Sequence, residues 1–203
     1  RAERAAEELR ASFLAKTNPG EEGSSGHVHL SLWRGTTNAF AGADQSAELV
    51  PPFSSAVAGV VEHLPAASLL LNPTINSYKR LVPGWFAPIN ATWGYENRSC
   101  AVRAIRGTRP ELWRFECRRP GADANPYLVL AAIGASVADG IRREATPPNP
   151  IEGDAYALDL PELPGSLDAA LRVFEDDAAL RESLGKDRVR WPVALKDTMR
   201  YER

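Results

Sequence analysis

Hydrophobic and polar positions are distributed along this chain in two periods. Residues 27–33 (HVHLSLW) alternate strictly, which predicts a strand. Residues 99–105 and 112–118 read as two further strands with a turn at 107–110 between them. Helical spacing covers 48–71, with Pro51 and Pro52 near its start and Asn72-Pro73 at its end. A second helix is expected from 126 to about 143, opened by Asn125-Pro126, and a third, amphipathic one over 167–184. Residues 1–10 read as a helix, 11–15 as a short strand, and the tail from 186 as a charged helix. Residues 17–26 are a turn-rich loop, 34–47 a loop or hairpin, 72–97 an extended loop region rich in Pro, Asn and Gly, and 147–154 a linker. No internal repeat is visible. Strands and helices without regular β-α-β alternation predict an α+β fold.

Composition narrows the function classes. A chain of 203 residues, 44% hydrophobic and 25% charged, is long enough for one large domain or two small ones with a sizeable core. Its net charge of -2 argues against a protein built to hold nucleic-acid phosphates, so no nucleic acid partner is expected. Two cysteines, Cys100 and Cys117, cannot make a disulfide framework; both fall on apolar strand faces and read as inert core thiols in a reducing, cytoplasmic setting. No apolar run is expected to reach the ~18–20 residues of a membrane span. The best candidate, 127–141, is interrupted by Ser136 and Asp139 and reads as a buried helix, so no membrane partner is expected. The acidic N-terminal segment resembles neither a signal nor a transit peptide, and it does not begin with Met, as expected of part of a longer gene product. Of 24 basic residues 20 are Arg, either through genome bias or through selection of guanidinium groups for phosphate and carboxylate.

Position along the chain concentrates the chemistry. In the 27–33 strand His27, His29 and Ser31 share one face, and Val28, Leu30 and Leu32 share the other. The two imidazoles stand about 7 Å apart along the strand, suited to adjacent subsites. The same pattern also describes a solvent-facing strand. Residues 98–119 hold seven arginines (98, 103, 106, 109, 114, 118 and 119) and two glutamates. In RFECR, Arg114, Glu116 and Arg118 share a face opposite Phe115 and Cys117. This row is either an exposed strand of mixed charge or a site for anions with a carboxylate that binds a cation. If the two strands are neighbours, His27 and Glu116 are placed to bind one divalent ion, a donor pair that suits Mn²⁺ and is tolerated by Mg²⁺. The loop NSYKRLVPGWFAPIN, with rigid prolines and the aromatics Trp85 and Phe86, reads as a lid or as a plain structural loop. His63, on an apolar helix, reads as a structural histidine.

The segments GSSGHVHLSLW, NPTINSYKRLVPGWFAPINATWGYENRSCAVR and RFECRRPGADANPYLVLAAI, in this order and spacing, resemble the C-terminal catalytic region of the glutamine synthetase family across the whole chain. The resemblance implies that family's curved, mainly antiparallel sheet with packed helices, and a ring-shaped homo-oligomer when full length. It also implies ATP-dependent joining of the glutamate γ-carboxylate to an amine through γ-glutamyl phosphate, with Mg²⁺ or Mn²⁺. Carried over residue by residue, His27 and Glu116 match ligands of one metal ion. His29, Ser31, Arg98, Arg103 and Arg114 match nucleotide and phosphate contacts, Arg98 also counting among the catalytic positions. Gly23 and Arg80 match glutamate contacts, and Arg118 matches a group near the reacting carboxyl. Tyr156 falls where some bacterial members carry a nucleotidylated tyrosine; its flanks differ, and no modification is expected.

Three departures from the family pattern carry weight. Phe86 stands where ammonia-using members have a glutamate that covers the acyl phosphate and takes a proton from ammonium. Phenylalanine can exclude water and cannot accept a proton, so an organic amine such as a polyamine or an alkanolamine (ethanolamine, for example) is the expected acceptor. Ordinary glutamine synthesis and a non-catalytic homologue are the alternatives. Glu22 stands where an asparagine often helps hold glutamate. The family's other metal-binding glutamates and its N-terminal domain are expected upstream of Arg1. The isolated chain is accordingly expected to bind nucleotide weakly and to turn over nothing.

Overall fold

The computed structural model describes residues 11–42 and 49–185. The helix expected at 1–10 and the tail from 186 lie outside the described residues. The strand patterns converge on one four-stranded sheet of order β1-β6-β5-β4, made of β1 (Val28–Leu30), β6 (Arg114–Cys117), β5 (Val102–Ile105) and β4 (Trp93–Tyr95). β1 with β6 and β5 with β6 pair antiparallel, while β4 runs parallel to β5. The register aligns Val28, Cys117, Val102 and Trp93 in one row, and Leu30, Phe115, Ala104 and Tyr95 in another. These rows share the apolar face, because facing residues of paired strands point the same way. Phe115, Cys117, Val102 and Ala104 are wholly buried there.

Helix α1 (Pro51–Leu71) and helix α3 (Pro126–Arg142) pack together and cover that core. Their backbones meet closely: a Cβ on Gly59 would lie 2.1 Å from the Ser136 carbonyl oxygen, and one on Gly140 2.2 Å from that of Ser55. Phe40 and Phe53 stack with centroids 4.5 Å apart where the first loop joins α1. The α+β expectation therefore holds.

Five local expectations are corrected. Residues 11–15 form no strand; they are irregular chain tied by the Ser24 N–H to the Ala15 carbonyl at 2.8 Å. The strand expected through 33 stops at Leu30, and β2 (Trp33–Arg34) turns back onto β3 (Thr37–Asn38) as a hairpin. Residues 72–97 contain the short helix α2 (Ile75–Lys79), closed by a Thr74–Ser77 capping box, and also β4. The helix expected over 167–184 is two, α4 (Leu167–Asp176) and α5 (Ala178–Ser183), because Asp177 leaves helical geometry and its carboxylate caps the Leu180 N–H at 2.8 Å. Finally, α1, at 21 residues, is long and apolar enough by length and composition to cross a membrane; 83% of its apolar window is buried inside the protein, as in a core helix.

Candidate active site

The polar face of the sheet is centred on Glu116. Its register row is His29, Glu116, Arg103 and Gly94, one residue from each strand. His27 Nδ1 is 2.9 Å from Glu116 Oε1, and Arg118 Nη1 donates to the same oxygen at 3.0 Å. Arg103 Nη1 donates to Oε2 at 3.3 Å, and His29 Nε2 lies 3.8 Å from Oε1. The expected neighbourhood of the two strands, and of His27 with Glu116, is therefore present. Glu116 is 4% exposed. Burial pushes its carboxyl up, but Arg118, His27, Arg103 and His29 outweigh this and hold it below its ordinary value. It is a carboxylate at neutral pH.

His27 is affected in the opposite sense. Burial and the Arg118 charge lower its imidazole below 6.5, against the pull of Glu116. A neutral imidazole that gives its Nδ1 proton to Glu116 keeps a lone pair on Nε2. That Nε2 atom is buried and has no hydrogen-bond partner. An orphaned imidazole nitrogen beside a carboxylate fits a divalent cation as a partial ligand set. Among the described residues no group of three or more His, Cys, Asp or Glu is placed to hold an ion, so the remaining ligands would have to come from elsewhere.

The arginines surround this pair in different states. Arg103 is shared between Glu116 and Glu96, its Nε donating to Glu96 Oε2 at 3.1 Å. Arg114 donates from Nε to His29 Nδ1 at 3.2 Å and from Nη1 to the Leu112 carbonyl at 2.6 Å. Arg98, on the short connection between β4 and β5, is exposed and has no hydrogen-bond or ion-pair partner among the described residues. Ser31 lies past the end of β1 and accepts from Trp33 Nε1 at 2.8 Å. Two guanidinium groups, Arg103 and Arg118, on the Glu116 carboxylate, with Arg114 beside them on His29, outnumber the carboxylates of Glu116 and Glu96 and leave this face positive in a chain of net charge -2. Such a face suits a polyanion.

Gly23 and Arg80, the residues expected to contact glutamate, lie against each other. A Cβ on Gly23 would lie 2.4 Å from Arg80 Cγ, so only glycine fits there. Arg80 is 1% exposed; it donates to Ser25 Oγ at 3.0 Å and to the Arg119 carbonyl at 2.5 Å, and its Nε has no partner. Burial lowers its pKa to about 10, still cationic at neutral pH. Glu22 is exposed. Phe86, on the loop between α2 and β4, is 65% exposed with a left-handed φ of 57°. Tyr156, on a short turn at Ala155–Ala157, buries its hydroxyl without a partner.

Two features escaped the sequence reading. Arg119 is 1% exposed and acts as a strut, its Nη1 and Nη2 donating to the carbonyls of Pro88 and Pro164 at 2.9 and 2.8 Å. Strand parity puts it on the core side of the Arg114–Glu116–Arg118 row, and that signal could have found it. Lys16, buried at 6% exposure, holds Trp85 under its ammonium; no local pattern announces that contact. His63 and Cys117 are as expected, while Cys100 is buried as expected but lies before β5 and not on a strand. His63 is buried between Asp139 and Asp177, and Cys100 and Cys117 are buried free thiols whose pKa burial raises.

A family model described as "Glutamine synthetase, catalytic domain" matches residues 3–201. The chain is 41% identical over 174 residues to the glutamine synthetase of Aquifex aeolicus, covering 82% of this chain and 37% of that protein. It is 37% identical over 207 residues to that of Pyrococcus abyssi, covering 96% of this chain and 44% of the relative. To the Thermus thermophilus protein it is 40% identical over 186 residues, covering 88% and 42%. The chain thus spans well under half the length of these curated relatives.

Proposed function

This chain belongs to the glutamine synthetase family, and we propose that it is part of the catalytic domain of an ATP-dependent glutamate–amine ligase whose acceptor is an organic amine. The N-terminal domain and further metal-binding strands would be supplied by the rest of the protein. The observation that carries the reading is the row His29–Glu116–Arg103, flanked by His27, Arg114 and Arg118 on one sheet face. In the reaction a γ-carboxylate oxygen attacks the γ-phosphorus of ATP and ADP leaves. The amine nitrogen then attacks the acyl carbon, phosphate leaves, and the amine gives up a proton.

Both steps crowd negative charge, which these arginines offset without reorganising. Arg98, Arg103, Arg114, His29 and Ser31 are assigned to the nucleotide phosphates, and Gly23 and Arg80 to glutamate. Arg118 is assigned to the reacting carboxyl. His27 and Glu116 would hold a Mg²⁺ or Mn²⁺ ion, which when bound supplies charge neutralisation at the phosphates. Phe86 supports the organic acceptor: it offers no proton acceptor, and it offers an apolar surface to an alkyl chain. The name shared by the relatives favours a second reading, ordinary glutamine synthesis with another residue taking the proton. We further propose a ring-shaped homo-oligomer for the whole protein.

The test uses the full-length protein with ATP, glutamate, Mg²⁺ or Mn²⁺ and a panel of amines including ammonium, with γ-glutamyl products identified by mass. Organic γ-glutamylamides support the proposal, glutamine as main product supports the second reading, and no product from any amine removes the ligase reading. Glu116→Ala is expected to weaken metal-dependent ATP binding at least tenfold, since the buried carboxylate partner of His27, Arg103 and Arg118 is lost; unchanged binding would remove the metal assignment.

A further inference from the structure

The loop that carries Phe86 is pinned on both sides. At 88 the Pro88 carbonyl accepts from the buried Arg119 at 2.9 Å. At 85 the Trp85 ring lies under the Lys16 ammonium, 4.0 Å from Nζ to the ring centroid. The chain enters the first pin through a tight turn and is strained just after it. The Trp85 N–H closes a turn onto the Val82 carbonyl at 3.2 Å, with Gly84 at a φ of 76°. Phe86 then takes a φ of 57°, which a bulky side chain adopts only when its surroundings over-determine it.

Lys16 is itself held from several sides. Its N–H donates to Asn76 Oδ1 at 2.9 Å, Asn76 Nδ2 donates back to its carbonyl at 2.8 Å, and the ammonium also donates to the Glu21 carbonyl. Lys16 follows Ala15, whose carbonyl oxygen would lie 2.4 Å from a Cβ on Gly23. One lysine therefore joins the Gly23 loop to the Phe86 loop. Its burial strips water from the ammonium and strengthens its attraction to the ring face.

We propose that Lys16 is a positioning residue for the acceptor end of the site: by clamping Trp85 it fixes Phe86, and so sets how completely the loop keeps water from γ-glutamyl phosphate. This rests on the ligase reading above. If the clamp slackens, water competes with the amine at the acyl carbon, returning glutamate and phosphate without an amide.

The experiment compares full-length wild type with Lys16→Met, Lys16→Arg, Trp85→Leu and the Lys16→Met/Trp85→Leu double variant. The quantity read is phosphate released per γ-glutamyl product. Wild type is expected near one. Lys16→Met and Trp85→Leu are expected to raise the ratio several-fold with ATP affinity unchanged, and Lys16→Arg to stay near wild type. The double variant is expected to match the single ones, because both remove the same contact. An unchanged ratio in both single variants, or effects that multiply in the double variant, would overturn the proposal. Trp85 is half-buried on a surface loop, so Trp85→Leu serves if Lys16→Met fails to fold. If wild type forms no amide at all, the ligase reading fails by itself. Amide hydrogen exchange at 84–87 then judges the clamp: faster exchange in Trp85→Leu supports it, and unchanged exchange overturns it.

Discussion

Two acid–histidine clusters among the described residues do different things, and their environments say which. At His27 burial and Arg118 win, and the imidazole is held neutral beside Glu116. At His63 burial alone would lower the pKa, but hydrogen bonds from its ring nitrogens to Asp139 and Asp177 at 2.9 and 2.8 Å, with the carboxylate charges, raise it above 6.5. Asp139 is also paired with Arg142 and Arg143, the latter reaching Glu62, and is held down to about 2 despite its burial. A raised folded pKa means that the native state binds the proton more tightly than the unfolded chain. The stability contributed by His63 is then fully present below about 6.5 and lost as pH rises through the folded value. Asp139 contributes in the opposite sense, above the usual carboxylate range, and its share is lost as pH falls toward 2. His63→Leu is therefore expected to cost about 3 kcal/mol at pH 6 and progressively less toward pH 9, read from urea unfolding at several pH values. A cost that does not change with pH would contradict the assignment. At this scale alternation makes the faces of the HVH and RFECR strands legible from the sequence alone. The partners of Lys16 and His63 were not legible, because they are brought together from distant segments by packing.

At the scale of elements, α1 and α3 cross where glycine is required by contact and not by helix preference. Alanine normally improves a helix by about 1 kcal/mol over glycine. At Gly140 that gain is opposed by a Cβ 2.2 Å from a carbonyl oxygen and 2.8 Å from the Gly59 backbone. Overpacking of this kind costs about 1–3 kcal/mol or more, so Gly140→Ala is expected to destabilise by about 2 kcal/mol. Gly134, on the same helix with open space around its Cβ position, is the control: Gly134→Ala is expected to stabilise by up to about 1 kcal/mol. Thermal unfolding of the pair checks both, and two changes of the same sign would contradict the crossing. The helices over 51–71 and 126–142 were legible because proline at the start and a long apolar face mark them. β4 was not. It is three residues long and pairs parallel to β5 across a short connection, so neither length nor alternation announces it. The break at Asp177 was also hidden, since the apolar period continues through it while the backbone does not.

For the whole molecule, the candidate site holds, among the described residues, His27 and His29 against one carboxylate, Glu116, with arginines around it, and the chain spans well under half of its relatives' length. If the site holds a metal as proposed, it needs ligands beyond those found among the described residues, so the isolated 203 residues are expected to bind ATP weakly and to form no amide, in contrast to the full-length protein. Equal turnover by both would contradict the assignment of missing ligands to the rest of the protein. On the proposed reading the acceptor is set at one loop position, Phe86. Phe86→Glu in the full-length protein is expected to restore a proton acceptor and shift product from organic γ-glutamylamide toward glutamine by tenfold or more, within the range of general base catalysis. The most direct measurement places ammonium and a set of primary amines in one reaction with ATP, glutamate, a divalent ion and the full-length protein, and counts the γ-glutamyl products by mass. The expected result is an organic γ-glutamylamide in excess over glutamine; glutamine in excess over every amide would contradict the organic acceptor.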